Sequence, residues 1–223
     1  MNNHQKTRQD QKYALGIHTT TPELGLVMSN FVDDTRFQVW NLGRDVSSHI
    51  HQYLVDFILP QSWPDLQLIA VAKGPGGFTG TRIGVVIART LGQQLSVPVL
   101  AISTLAAVAW HEKNQNPQLP DTIAVEMPAQ RGKVFGAIYQ INAENPGMKT
   151  LLADQVFTLE AWQETLNGLP NNYPVEYELI RATSNLGVTV TSILQLAYLD
   201  WQEGKNSHWS DSLPYYGQHP VDS

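Results

Sequence analysis

The chain reads as an α/β protein built on a mixed sheet. The first three apolar segments follow one another at hairpin spacing. The hydrophobic period then switches from two residues to about 3.6, and strand-like and helix-like segments alternate from there on. At 223 residues, the chain makes one large domain or two small lobes, at about 100–200 residues per domain.

Tyr13 to His18 form a short, wholly apolar strand up to the histidine. Thr19 to Pro22 make a turn. Leu24, Leu26 and Met28 alternate as a second strand, and Phe37 to Leu42 read as a third. Residues 47–59 are helical, because Ile50, Leu54, Phe57 and Ile58 fall at i, i+4, i+7 and i+8. Ser47 or Ser48 is the expected N-cap, and Pro60 lies just past the end. Leu68 to Lys73 form a strand that runs into the turn Gly74-Pro75-Gly76-Gly77-Phe78-Thr79-Gly80. Ile83, Val86, Ile87, Leu91 and Leu95 then give a second helical stripe. Val97 to Ala101 make a strand, and Ser103 caps a helix that carries Leu105, Val108 and Ala109 inward.

Residues 112–121 are polar, carry two prolines and mark the expected lobe boundary. Thr122 to Glu126 and Lys133 to Ile141 read as strands around the connection Met127–Gly132. Thr158 to Leu166 form a short helix, 167–178 are irregular, and Val190 to Trp201 make the last helix. Leu213 to Tyr216 read as an edge strand, where proline is tolerated. There is no repeat at a fixed period.

Composition narrows the function. Hydrophobic residues make up 42% and charged residues only 15%, against a typical ~25%. Fourteen Lys and Arg against twenty Asp and Glu give a net charge of −6. That argues against stand-alone nucleic-acid binding, which rests on many cationic phosphate contacts. Cysteine is absent, which removes disulfides, thiolate metal sites and cysteine nucleophiles and fits a cytoplasmic protein. Residues 1–12 are polar and read as a disordered tail, without the apolar stretch of a secretory signal. No segment approaches the ~20 apolar residues of a membrane span.

The glycine-rich turn is the most informative motif. Between a strand and a helix, its backbone N–H groups could cradle an anion. It carries no Lys-Ser/Thr after Gly80 and lacks the G-x-G-x-x-G spacing, so a tight turn of small residues for close packing is the competing reading. His18 at a strand end is more simply solvated than catalytic. His49 and His51 lie two apart on a helix and face different ways. Asp33 and Asp34 are solvated turn acids. The sequence offers no catalytic set, no metal set and no cofactor motif, which favours binding or scaffolding over catalysis.

Lys73-Gly74-Pro75-Gly76-Gly77-Phe78-Thr79-Gly80-Thr81-Arg82-Ile83-Gly84 resembles the GPGSFTGxRIG signature of the bacterial TsaB (YeaZ) family. The likeness runs on through Val97-Pro98-Val99 and Ile102-Ser103-Thr104-Leu105. Ile17-His18-Thr19-Thr20, Arg131-Gly132-Lys133-Val134-Phe135 and Leu213-Pro214-Tyr215-Tyr216 are similar to further family segments. The resemblance implies an actin-like, sugar-kinase-type ATPase fold of two lobes with a degenerate nucleotide site. These would be residues 13–110 with 186–223, and residues 111–185. It implies a non-catalytic subunit that supports a TsaD-type threonylcarbamoyltransferase, with a TsaE-type ATPase, in forming threonylcarbamoyladenosine on tRNA. tRNA would be met only through that complex, and a homodimer is expected of the chain alone.

The implied partner surface lies on the helices at 47–59 and 80–95, through Ile50, Tyr53, Leu54, Phe57, Ile58, Arg82, Val86 and Arg89. The glycine-rich turn contributes Gly74, Gly76, Gly77, Thr79 and Gly80. Five positions depart from the family pattern. His18 replaces a strand-end aspartate, Val46 a histidine and Lys133 a glutamate, and Pro128-Ala129-Gln130 replaces Asp-Ala-Arg. The alternatives are a nucleotide-dependent kinase-like or peptidase-like enzyme, and a self-associating structural protein.

Overall fold

The computed structural model describes residues 12–142, 147–172, 176–205 and 208–217. The tail expected over 1–12 therefore lies almost wholly outside the described residues.

β1 (Tyr13–His18), β2 (Glu23–Ser29) and β3 (Thr35–Asn41) form an antiparallel meander. α1 (Val46–Ile58) follows, then β4 (Leu66–Ala72), parallel to β1. α2 (Phe78–Leu95) leads to β5 (Val99–Ile102), parallel to β4, and α3 (Thr104–Gln115) leaves the sheet. The first sheet has the order β3-β2-β1-β4-β5. β6 (Thr122–Pro128), β7 (Val134–Asn142) and β8 (Gly147–Phe157) form a second antiparallel meander. α4 (Leu159–Asn172) then leads to β9 (Tyr177–Arg181), parallel to β6, in a sheet of order β8-β7-β6-β9. α5 (Val190–Gln202) returns to pack on the first sheet.

Strand alternation sorts the core into layers. Leu15, Ile17, Leu26, Ile69 and Val71 face α1 and α2, whereas Ala14, Leu68, Ala70 and Ala72 face α3 and α5. Ile123, Val125 and Ala137 of the second sheet join that same inner cluster, while Ala124 and Ile138 pack with Trp162, Leu166 and Leu169 of α4. The order is therefore α1–α2, first sheet, α3–α5, second sheet, α4. α5 comes close because the facing strand positions are small: a Cβ on Gly16 would meet Leu194 at 3.3 Å.

The expected elements up to β7 are present with ends shifted by a few residues, and Ser103 does cap α3, accepting from Ala106 N–H at 3.2 Å. Several expectations are corrected. Asp45 occupies the N-cap of α1 without a side-chain bond, and Ser47 and Ser48 lie inside the first turn. α4 runs on to Asn172 rather than stopping at Leu166, because Leu169 extends the stripe of Trp162 and Leu166. β8 and β9 were not expected as strands. β8 is a half-exposed edge with register shifts against β7 and no clean alternation. Leu213–Tyr216 is not a strand. It crosses the sheet ends as an irregular strap, held by Tyr215 N–H donating to Lys73 O at 2.7 Å and by Ser212 Oγ donating to Val99 O at 2.8 Å.

Candidate functional site: a helical groove beside an interlobe cleft

Two concave surfaces flank the glycine-rich turn. The first is a groove of about 470 Å³ between α1 and α2. Leu54, Ile83, Ile87 and Leu91 form its apolar wall, with Val55 and Val86 standing 50% and 58% exposed at its mouth. His51, Arg82, Ser47 and Thr90 supply the polar lining, with no carboxylate among them.

Burial sorts the residues expected at the partner face. Ile50, Phe57 and Ile58 are buried in the core beneath α1, because their stripe is the one that covers the first sheet. Leu54 is also buried but reaches the groove, and Tyr53 is half-buried against Trp40 at a ring separation of 4.7 Å. Arg82 and Val86 lie in the groove, whereas half-buried Arg89 turns to the Trp209 ring, 5.9 Å away. Among the groove residues absent from the expectation, Ser47, His51 and Val55 fall on i, i+4 positions of α1, and Thr90 continues the expected 82-86 row of α2. That offset stripe was the signal for them in the sequence.

Arg36 sets the end of α1. Its guanidinium donates to the carbonyls of Phe57, Ile58 and Leu59, each at 3.1 Å, and to Gln61 Oε1 at 2.6 Å. A cation there satisfies the free carbonyls of the helix C-terminus and complements its dipole.

The second surface is a cleft of about 960 Å³ between the two sheets. One wall is Thr19–Pro22, Arg44 and the glycine-rich turn; the other is Met127–Gln130, Ala182–Ser184 and Tyr216. The turn's glycines serve close packing. A Cβ on Gly76 would collide with Thr20 O, and one on Gly80 with Thr19 O. Gly74 has φ of 101° and abuts Tyr215 O. Gly77 N–H donates to Thr20 O at 2.7 Å, and Thr19 Oγ1 donates to Gly80 O at 2.8 Å. Thr79 is exposed in the cleft. Of the two readings of the turn, tight packing is the one its atoms carry out.

His18 is fully buried rather than solvated. Its Nε2 lies 3.2 Å from Thr20 Oγ1, which lies 3.1 Å from Thr104 Oγ1, and Nδ1 has no hydrogen-bond partner. Burial lowers its pKa to about 4, so the ring is neutral at pH 7. The cleft lining carries hydroxyls and one guanidinium but no carboxylate. Among the described residues, no group of three or more His, Asp or Glu is placed to hold a metal, and no helix is long and apolar enough to cross a membrane.

Two sheets wired alike around a cleft define the class: an α/β protein built on two mixed sheets. Residues 48–193 match the family model for TsaD, tRNA N6-adenosine threonylcarbamoyltransferase, and the chain belongs to that family. It is 36% identical over 118 residues to the tRNA threonylcarbamoyladenosine biosynthesis protein TsaB of Bacillus subtilis, covering 52% of this chain and 48% of that protein. It is 35% identical over 79 residues to the TsaB of Escherichia coli, covering 35% and 33%. The chain thus spans about half the length, or less, of the curated relatives it matches. YeaZ from Pseudomonas aeruginosa shares the fold, with a TM-score of 0.72 and 19% identity over 92% of this chain and 99% of that one.

Proposed function

We propose that the chain is a cytoplasmic, non-catalytic subunit that supports a TsaD-type threonylcarbamoyltransferase in forming threonylcarbamoyladenosine on tRNA. The groove between α1 and α2 carries this reading. Exposed Val55 and Val86 over an apolar wall, with cationic Arg82 and no acidic lining, form a surface that gains by being covered. The likeness to TsaB proteins supplies the partner, a TsaD-type paralogue, with a TsaE-type ATPase completing the assembly and tRNA met only through it. The cleft's chemistry supports the absence of catalysis by this subunit, since its lining offers no carboxylate to hold a magnesium ion or act as base.

Light scattering after size-exclusion chromatography tests this. The chain mixed with the TsaD-type protein of the same organism is expected to run as a 1:1 heterodimer that displaces any homodimer. Val86→Glu, at a solvent-facing position, is expected to leave the fold intact and to weaken pairing at least tenfold. A charge buried at such a contact costs about 2–5 kcal/mol. Normal pairing by Val86→Glu would place the contact elsewhere. The volume of the cleft motivates a kinase-like second reading, which micromolar Mg-ATP binding with turnover would establish in place of the first. A homodimer that refuses the paralogue would instead mark a self-associating structural protein.

A further inference from the structure

A third cavity, of about 270 Å³, lies where α3 begins beside β4, β7 and β8, away from the groove and on the far side of the tail from the cleft. Asp154 of β8 lines it. Ser103 Oγ donates to Asp154 Oδ1 at 2.9 Å, and the buried Tyr139 hydroxyl donates to the same oxygen at 2.7 Å. Among the described residues, Oδ2 receives no hydrogen bond and the carboxylate forms no ion pair. Burial raises the Asp154 carboxyl above its ordinary range and the Tyr139 phenol well above its own. A carboxylate oriented through one oxygen leaves the other open to a cationic donor in the cavity.

Lys73, at the end of β4, lines the same cavity. Its ammonium acts on Asp154 through space, lowering its pKa, but does not reach it, and makes no hydrogen bond or ion pair among the described residues. Tyr215 holds the two apart: its N–H donates to Lys73 O at 2.7 Å and its hydroxyl to Asp154 O at 2.7 Å. Ile102, Ala106 and Leu196 supply an apolar wall. A fixed carboxylate and an ammonium thus share one small cavity without meeting, while the other charges that line it, Lys205, Asp200 and Glu203, are paired with one another.

We propose that this cavity binds a small zwitterion with the head group of an α-amino acid, its ammonium on Asp154 Oδ2 and its carboxylate on Lys73. The oriented carboxylate and the ammonium are the two ends of such a site. The volume limits the ligand to a small side chain, packed on the Ile102–Leu196 wall.

Calorimetric titration of the full chain with glycine, L-serine and L-leucine tests this, with ethanolamine and lactate as single-charge controls. Saturable binding of at least one amino acid is expected, with each single-charge control about tenfold weaker or worse. Asp154→Asn and Lys73→Met are each expected to weaken binding about tenfold or more. Circular dichroism checks their folding. Half-exposed Lys73 carries the test should Asp154→Asn fail to fold. No saturable binding of any of the three amino acids at millimolar concentration overturns the proposal. Equal binding of ethanolamine or lactate does so too, as does unchanged affinity in folded Lys73→Met.

Discussion

The two sheets have the same wiring and different interiors. In each, an antiparallel meander is followed by a helix and then a strand parallel to the first: β1-β2-β3, α1, β4 in one and β6-β7-β8, α4, β9 in the other. The first sheet continues through α2 to β5 and is covered on both faces. All six residues of β1 are buried, as are six of seven in β4. The second ends at β9 and is covered by α3 and α5 on one face and α4 on the other, and its edge strand β8, like edge strand β3 of the first, has no buried residue, in contrast to central β1 and β4. The strand ends differ as well. β1 ends in a buried polar chain from His18 through Thr20 to Thr104, whereas β6 ends at exposed Pro128. One topology can thus be kept by two sequences with no detectable repeat, because it asks only for apolar faces and connections of suitable length. How deeply each strand is buried depends on whether it lies at the centre or at the edge of its sheet.

Substitution tests this contrast most strongly in the cores. Ile69→Ala in β4, at a fully buried position, should cost about 3–5 kcal/mol in chemical denaturation. Leu152→Ala on half-buried β8 should cost about 1–2 kcal/mol by the same measurement. Equal losses would break the contrast.

The strand ends differ in their response to pH. His18 has a folded pKa of about 4 against an ordinary 6.5, so the unfolded chain binds the proton first. Stability should be full above pH 6.5 and fall by about 3 kcal/mol as pH drops through the folded value. Denaturation midpoints from pH 7 to 4 should show this fall, and His18→Gln should flatten it.

The turns give a smaller difference. Gly80→Ala drives a methyl into Thr19 O and should cost about 2–3 kcal/mol. Gly132→Ala in the second hairpin meets open space at φ of 69° and should cost only about 1–2 kcal/mol, from backbone strain. Thermal unfolding compares the two directly.

The smallest effect belongs to an ion pair of the second sheet. Glu126 accepts from buried Trp162 Nε1 at 2.7 Å and from Arg181 Nε at 2.8 Å, with Arg181 77% exposed. Arg181→Ala should change stability by less than about 1 kcal/mol. Glu126→Ala, which orphans the indole N–H, should cost about 1–3 kcal/mol.

The sequence by itself determined the elements as far as β7. Their apolar periods are strong, and Ser103, Pro60 and the glycine-rich turn punctuate them with local chemistry. It also placed Arg82 and Val86 together on one face of α2, where both stand exposed and line the groove. Only the tertiary structure decided which stripe of α1 faces out. Ile50, Phe57 and Ile58 and the offset set of His51 and Val55 are both regular along the helix, and the first sheet takes the more apolar one. The same holds for β8, β9 and the strap, whose residues are half-exposed and whose order comes from long-range partners such as Lys73 and β6. His18 shows the reason most plainly. Its neighbours along the chain mark it as a strand end, but it is fully buried, and the polar chain it starts runs through Thr20 to Thr104, 86 positions away, and no local pattern carries that information.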